Sequence, residues 1–141
     1  YRHWGDPGDP PVLLLHGLRS YSATWAPLAA DLARDHWVLA LDARGRGESA
    51  WDPQRRYVTE SYVSDVEEWV RRLGLERCAV VGHSMGGTPG DVFAARHPGG
   101  PHDLPQAGRL TAGRPTYPLA ALAAFAAAFI SCLCARTFAS D

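Results

Sequence analysis

Ser84 stands between two glycines in the run Gly82-His83-Ser84-Met85-Gly86-Gly87, directly behind the apolar segment Cys78-Ala79-Val80-Val81. A serine hydroxyl is a poor nucleophile until a base takes its proton. A G-x-S-x-G run places such a hydroxyl at the tip of a sharp strand-to-helix turn. Gly82 and Gly86 suit that turn because side chains there would collide across it. The chemistry on offer is nucleophilic. It requires neighbouring elements that supply a strand, a helix, N–H donors for a developing oxyanion, and a base.

The positioning elements are legible in the apolar pattern. Pro11-Val12-Leu13-Leu14-Leu15, closed by His16-Gly17, is a continuous apolar run that predicts a strand buried on both faces. Residues 22–35 carry Trp25, Leu28, Ala29 and Leu32 at helical spacing, with Ser22 as the expected N-cap. Trp37-Val38-Leu39-Ala40-Leu41 predicts a second strand, ending at Asp42 and followed by a turn over 43–49. Residues 59–73 put Tyr62, Val66, Trp69, Val70 and Leu73 on one helical face, and Gly74 is a natural C-cap. Residues 78–81 predict the third strand, and 85–96 a helix stopped by Pro98. Tyr1 to Trp4 reads as the end of a further strand. Strands alternating with helices predict an α/β class: a mostly parallel sheet flanked by helices on both faces.

Composition narrows the partners. A formal net charge of −1 gives no support for a nucleic-acid partner. The 14 basic residues are all arginine, a skew that reads as codon bias. Three cysteines make no disulfide framework. Cys78 sits in a strand-like run as a small core residue, and Cys132-x-Cys134 without nearby histidines is a weak metal signal. No metal or cofactor is expected. No leader is visible, but the sequence begins at Tyr1 and not at methionine, so the N-terminus reads as incomplete and this end does not give the location; the expectation is cytoplasmic.

Past Pro98 the character changes. Residues 99–118 are rich in Gly and Pro and read as loop or disorder. Residues 119–141 form an apolar, alanine-rich tail with a helical expectation. Three readings of it stay open: a helix folded onto an exposed sheet edge, a disordered or aggregating segment, and, least favoured, a membrane anchor, since its apolar run is short of a comfortable bilayer span.

Leu15-His16-Gly17-Leu18, Asp42-Ala43-Arg44-Gly45-Arg46-Gly47-Glu48-Ser49 and the Ser84 run together resemble the α/β-hydrolase superfamily, in the branch of esterases, proline iminopeptidases and cofactor-free haloperoxidases. The resemblance covers the N-terminal half of that fold, residues 1–98. It implies Ser84 as the nucleophile and the backbone N–H groups of Leu18 and Met85 as oxyanion donors, acting on a small-molecule ester or acyl substrate through an acyl-enzyme. It sets Ser84 where relatives such as epoxide hydrolases use aspartate. His16 and His83 read as structural, Asp42 as a loop anchor, and Arg44 as an anchor through ion pairs. Trp25 and Trp69 read as core.

The chain departs from the pattern after the elbow. The family order is Ser, then Asp or Glu, then His. The histidines that follow Ser84 are His97 and His102. At about 1.5 Å per residue, His97 falls roughly 20 Å from Ser84 along the helix. His102 lies in the Gly/Pro segment, with nothing to orient it. Pro89 is expected to break the helix after Ser84 at a cost of ~3 kcal/mol, and Gly90 to add up to ~1 kcal/mol. The Ala/Gly/Pro/Arg-rich sequence beyond Gly99 reads as a truncated or frameshifted continuation. The second functional expectation is therefore a catalytically incomplete fragment, whose bare strand edge would self-associate.

Overall fold

The computed structural model describes residues 1–98 and the backbone of 133–136. Strand β1 (Arg2–Trp4) is followed by β2 (Pro11–Leu15), a 3-10 turn over Ser22–Trp25, and helix α1 (Ala26–Leu32). Strand β3 (Trp37–Leu41), helix α2 (Thr59–Leu73), strand β4 (Ala79–His83), a 3-10 turn over Ser84–Gly86 and helix α3 (Gly87–Arg96) complete the alternation. A last strand, β5, spans Leu133–Arg136.

The sheet runs β1-β3-β2-β4-β5. Its centre is parallel: Val12 lies level with both Val38 of β3 and Ala79 of β4. The outer strands are antiparallel, β1 to β3 and β5 to β4. Alternation along β2 sends its side chains to two cores. On one face Val12 and Leu14 join Val38, Ala40 and Val81 beneath Trp25, Leu28 and Leu32. On the other, Leu13 and Leu15 join Leu39 and Val80 beneath Val66, Trp69 and Val70 of α2 and Phe93 of α3. Trp25 and Trp69 are both buried, as core residues should be. Cys78 is wholly enclosed, and burial pushes its thiol pKa up, so it serves as an inert apolar filler.

The long helix α2 ends as its sequence predicts. Gly74 is left-handed at φ 66°, and the Leu75 N–H closes onto Val70 O at 3.2 Å. Three expectations change. Ser22 makes no side-chain cap: the turn starts from extended Tyr21, and Ser22 contributes its backbone N–H to Asp42 instead. Pro89 does not break the helix. The chain leaves Ser84 as a 3-10 turn, so α3 begins only at Gly87 and Pro89 falls in its first turn, where N–H groups lack intrahelical partners. Gly90 is where α3 meets the sheet closely: a Cβ there would stand 3.3 Å from Val80 Cγ1.

The third change concerns the tail. Residues 133–136 form a strand, not part of the expected apolar helix, and they pair along the β4 edge that was expected to be bare. The Gly/Pro segment 99–118, including His102, and the rest of the tail, 119–132 and 137–141, lie outside the described residues. Among the described residues no helix is long and apolar enough to cross a membrane.

Candidate active site around Ser84

Strand β4 delivers Ser84 to the rim of the sheet. Ser84 has φ 51°, a left-handed conformation that costs a side-chain-bearing residue about 1–2 kcal/mol. The two glycines make this turn possible. A Cβ on Gly82 would come 2.5 Å from Gly86 O, and one on Gly86 would overlap Leu15 O. The result is an exposed serine at a strand-turn-helix junction. Among the described residues no side chain hydrogen-bonds to its hydroxyl.

The loop after β2 lies against this turn. A Cβ on Gly17 would stand 3.4 Å from Ser84 Cβ. Ser20 N–H closes the loop onto Gly17 O at 3.1 Å, which leaves Leu18 at the corner, half exposed. The Leu18 N–H has no acceptor among the described residues. Met85 is the first residue after Ser84 in the 3-10 turn, where N–H groups lack an intrahelical partner. Ser84, Gly17 and Leu18 line a common cleft of about 410 Å³ together with His83 and Trp25. Met85 lines a neighbouring opening of about 620 Å³, which it shares with Leu18, Trp51 and Tyr62. Leu18 is therefore the hinge between the two spaces.

The histidines nearby are engaged elsewhere. His16 is buried, with Nδ1 2.8 Å from Gly17 O and Nε2 accepting the Ala43 N–H at 3.0 Å. Those partners fix one neutral tautomer. Burial is the main force lowering its pKa, and the Arg46 charge adds to it, against the Gly17 carbonyl and Asp42. His97 sits at the far end of α3, with Nε2 3.2 Å from Glu67 Oε1 and its ring 5.0 Å from Phe93. His36 is buried beside Asp35, at 2.6 Å. His83 lines the Ser84 cleft, but among the described residues no imidazole hydrogen-bonds to the Ser84 hydroxyl.

Asp42 is an anchor in geometry as in expectation. One carboxylate oxygen accepts the Ser22 N–H and the other the Glu48 N–H at 3.1 Å. Burial alone would raise its pKa, but these N–H donors together hold it below the ordinary carboxylate value. Arg44 ties the same loop to α2. Its guanidinium grips both oxygens of Asp65 at 2.6 Å, meets Asp52 at 3.0 Å, and donates to the carbonyls of Arg56 and Ser61. Arg19, Arg46 and Trp51 also border the openings near Leu18. Sequence reasoning missed them, because nothing in the pattern distinguishes Arg46 from the ion-paired Arg44 two positions earlier.

Comparison with known proteins agrees with this geometry. The family model for the α/β hydrolase fold matches residues 10–106. A 3-hydroxybutyrate-oligomer hydrolase of Cupriavidus necator is 39% identical over 92 residues, covering 64% of this chain and 31% of that protein. Epoxide hydrolase 3 of Xenopus tropicalis is 36% identical over 94 residues, covering 66% of this chain and 26% of that protein. The solved structure of a marine microorganism esterase superposes with a TM-score of 0.65 at 32% identity, covering 69% of this chain and 36% of that one. The match thus spans under a third of the length of the Cupriavidus and Xenopus relatives. With strands, elbow and matched residues in agreement, the chain belongs to the α/β hydrolase fold family.

Proposed function

We propose that Ser84 is the nucleophile of a serine hydrolase site. It attacks the carbonyl of a small ester or acyl substrate while the Leu18 and Met85 N–H groups receive the oxyanion, and water then hydrolyses the acyl-enzyme. The observation that carries this reading is the exposed, left-handed Ser84 at the end of β4, with Leu18 sharing its cleft. A cleft of about 410 Å³ suits a small molecule. Relatives named epoxide hydrolase are among the matches. A hydroxyl at residue 84, in place of the aspartate expected of the epoxide hydrolase pattern, favours the acyl route. A cytoplasmic location is part of the same proposal, checked by fractionation.

A fluorophosphonate probe tests the nucleophile. Labelling should map to Ser84 and vanish in Ser84→Ala, with the variant folding as well as the parent. Labelling that persists in Ser84→Ala would sink the proposal. A second reading, that this chain alone is catalytically incomplete, is favoured by one observation: among the described residues no imidazole hydrogen-bonds to Ser84. The labelling rate decides between them. A rate typical of serine hydrolases requires a base, and a rate several orders of magnitude lower fits oxyanion donors acting without one.

A further inference from the structure

Beside the Ser84 cleft and the 620 Å³ opening lies a third space of about 520 Å³, bordered by Leu18, Arg19, Ser20, Arg46 and Trp51. Leu18, Arg19 and Ser20 also line the Ser84 cleft, so the two spaces meet along that loop. No carboxylate side chain among the described residues lines this opening.

Most arginines of the described residues are ion-paired. Arg2, Arg34, Arg44, Arg56, Arg71, Arg72 and Arg96 each meet a carboxylate. Among the described residues Arg19 and Arg46 meet none. Arg46 is half-buried, and its Nε is closed off from solvent without an acceptor. The loop hydroxyls do not compete for a ligand there. Ser20 Oγ lies 2.6 Å from Thr24 Oγ1, and Ser49 Oγ donates to Asp42 O at 2.6 Å. Trp51, 72% exposed, adds an apolar face at the rim. Of the nearby acids, Glu48 meets Arg2 at 3.2 Å, and Glu60 lines the adjoining 620 Å³ opening, which Arg46 and Trp51 also border; Glu60 makes no ion pair with Arg46. The planar arginine fork matches a carboxylate with two parallel N–H bonds.

We propose that this opening is an anion subsite of the Ser84 site, and that the substrate class is an ester carrying a free carboxylate, held by Arg46 with Arg19. The proposal rests on the reading of Ser84 as nucleophile. The carboxylate is bound and not consumed, and the bond broken is that of the ester at Ser84. Charge recognition beside the Ser84 cleft orients the carbonyl and discriminates against uncharged esters.

The test is calorimetric binding of monomethyl glutarate against dimethyl glutarate to the full chain, run alongside fluorophosphonate labelling. The monoanion should bind at least about tenfold more tightly than the neutral diester. That gap should collapse in Arg46→Gln and shrink with added salt, and the monoanion should slow labelling of Ser84. Equal binding of the two esters, or an undiminished gap in Arg46→Gln, overturns the subsite. Selective binding that leaves Ser84 labelling unaffected overturns its link to the hydrolytic site. Should Arg46→Gln fail to fold, Arg19→Gln and the salt series on the parent chain decide the same question, since Arg19 is exposed. Labelling that persists in Ser84→Ala overturns the Ser84 reading and the substrate class with it, while the binding comparison still decides the anion site.

Discussion

At the scale of single residues, burial decides which polar groups serve the scaffold and which face solvent. His16 and Ser84 are close in space and opposite in treatment. The His16 ring is enclosed with both nitrogens engaged, while the Ser84 hydroxyl is exposed and unengaged among the described residues. The enclosed imidazole predicts a pH dependence. Its folded pKa lies below the ordinary 6.5, chiefly because burial penalises the charged ring. The unfolded chain then binds more protons than the folded one, so stability rises with pH across that window. The stabilisation is fully present above about pH 6.5 and is lost as pH falls through the lowered pKa. Urea midpoints of the parent chain should therefore fall between about pH 7 and pH 5, and the slope should be shallower in His16→Gln. Equal slopes would mean that His16 does not control this window.

Individual elements follow local rules except where the site bends them. Strand β2 and helix α2 sit where periodicity puts them, because each has one dominant demand, burial for β2 and an amphipathic stripe for α2. Helix α3 answers two demands. The turn at Ser84 has to lift a side chain clear of the sheet, and it does so by winding as 3-10 before the α-helix starts at Gly87. That offset makes Pro89 a first-turn residue. Pro89→Ala should change unfolding free energy by less than about 1 kcal/mol, where a helix-interior proline would give ~3 kcal/mol back. A gain near the larger figure in urea unfolding would show that the helix is strained as its sequence suggested.

At the scale of the whole molecule, long-range links hold the site's loops and close the sheet. Arg44 joins the loop after β3 to α2 across 21 positions of sequence through Asp65. Arg44→Ala leaves Asp65 and Asp52 without this partner and should cost roughly 2 kcal/mol. Amide exchange should quicken over 43–58 before it quickens in the core strands, and uniform quickening would argue against a local anchor. The sheet edge is a second such link. Residues 133–136 pair with β4, so a chain ending before residue 133 should expose that edge and associate in a concentration-dependent way. Light scattering that stays monomeric would show that the β4 edge is protected by something else.

The serine turn, its glycines, three strands, the long helix and the anchoring roles of Asp42 and Arg44 were all legible in the sequence. Each rests on a local signal: a steric requirement at Gly82 and Gly86, an apolar run, a helical stripe. What a local signal does not carry is where distant segments meet. The pairing of 133–136 with β4, the tolerance of Pro89 and the placement of Arg19 and Arg46 beside Leu18 depend on contacts between residues far apart in the chain. Periodicity has no term for those contacts. An arginine reads the same whether its guanidinium meets a carboxylate or an empty cleft. Sequence alone determined that this chain presents a serine on a tight strand-to-helix turn between two glycines. Only the packing of loops from separate strands decided which donors, which cations and which open space surround it.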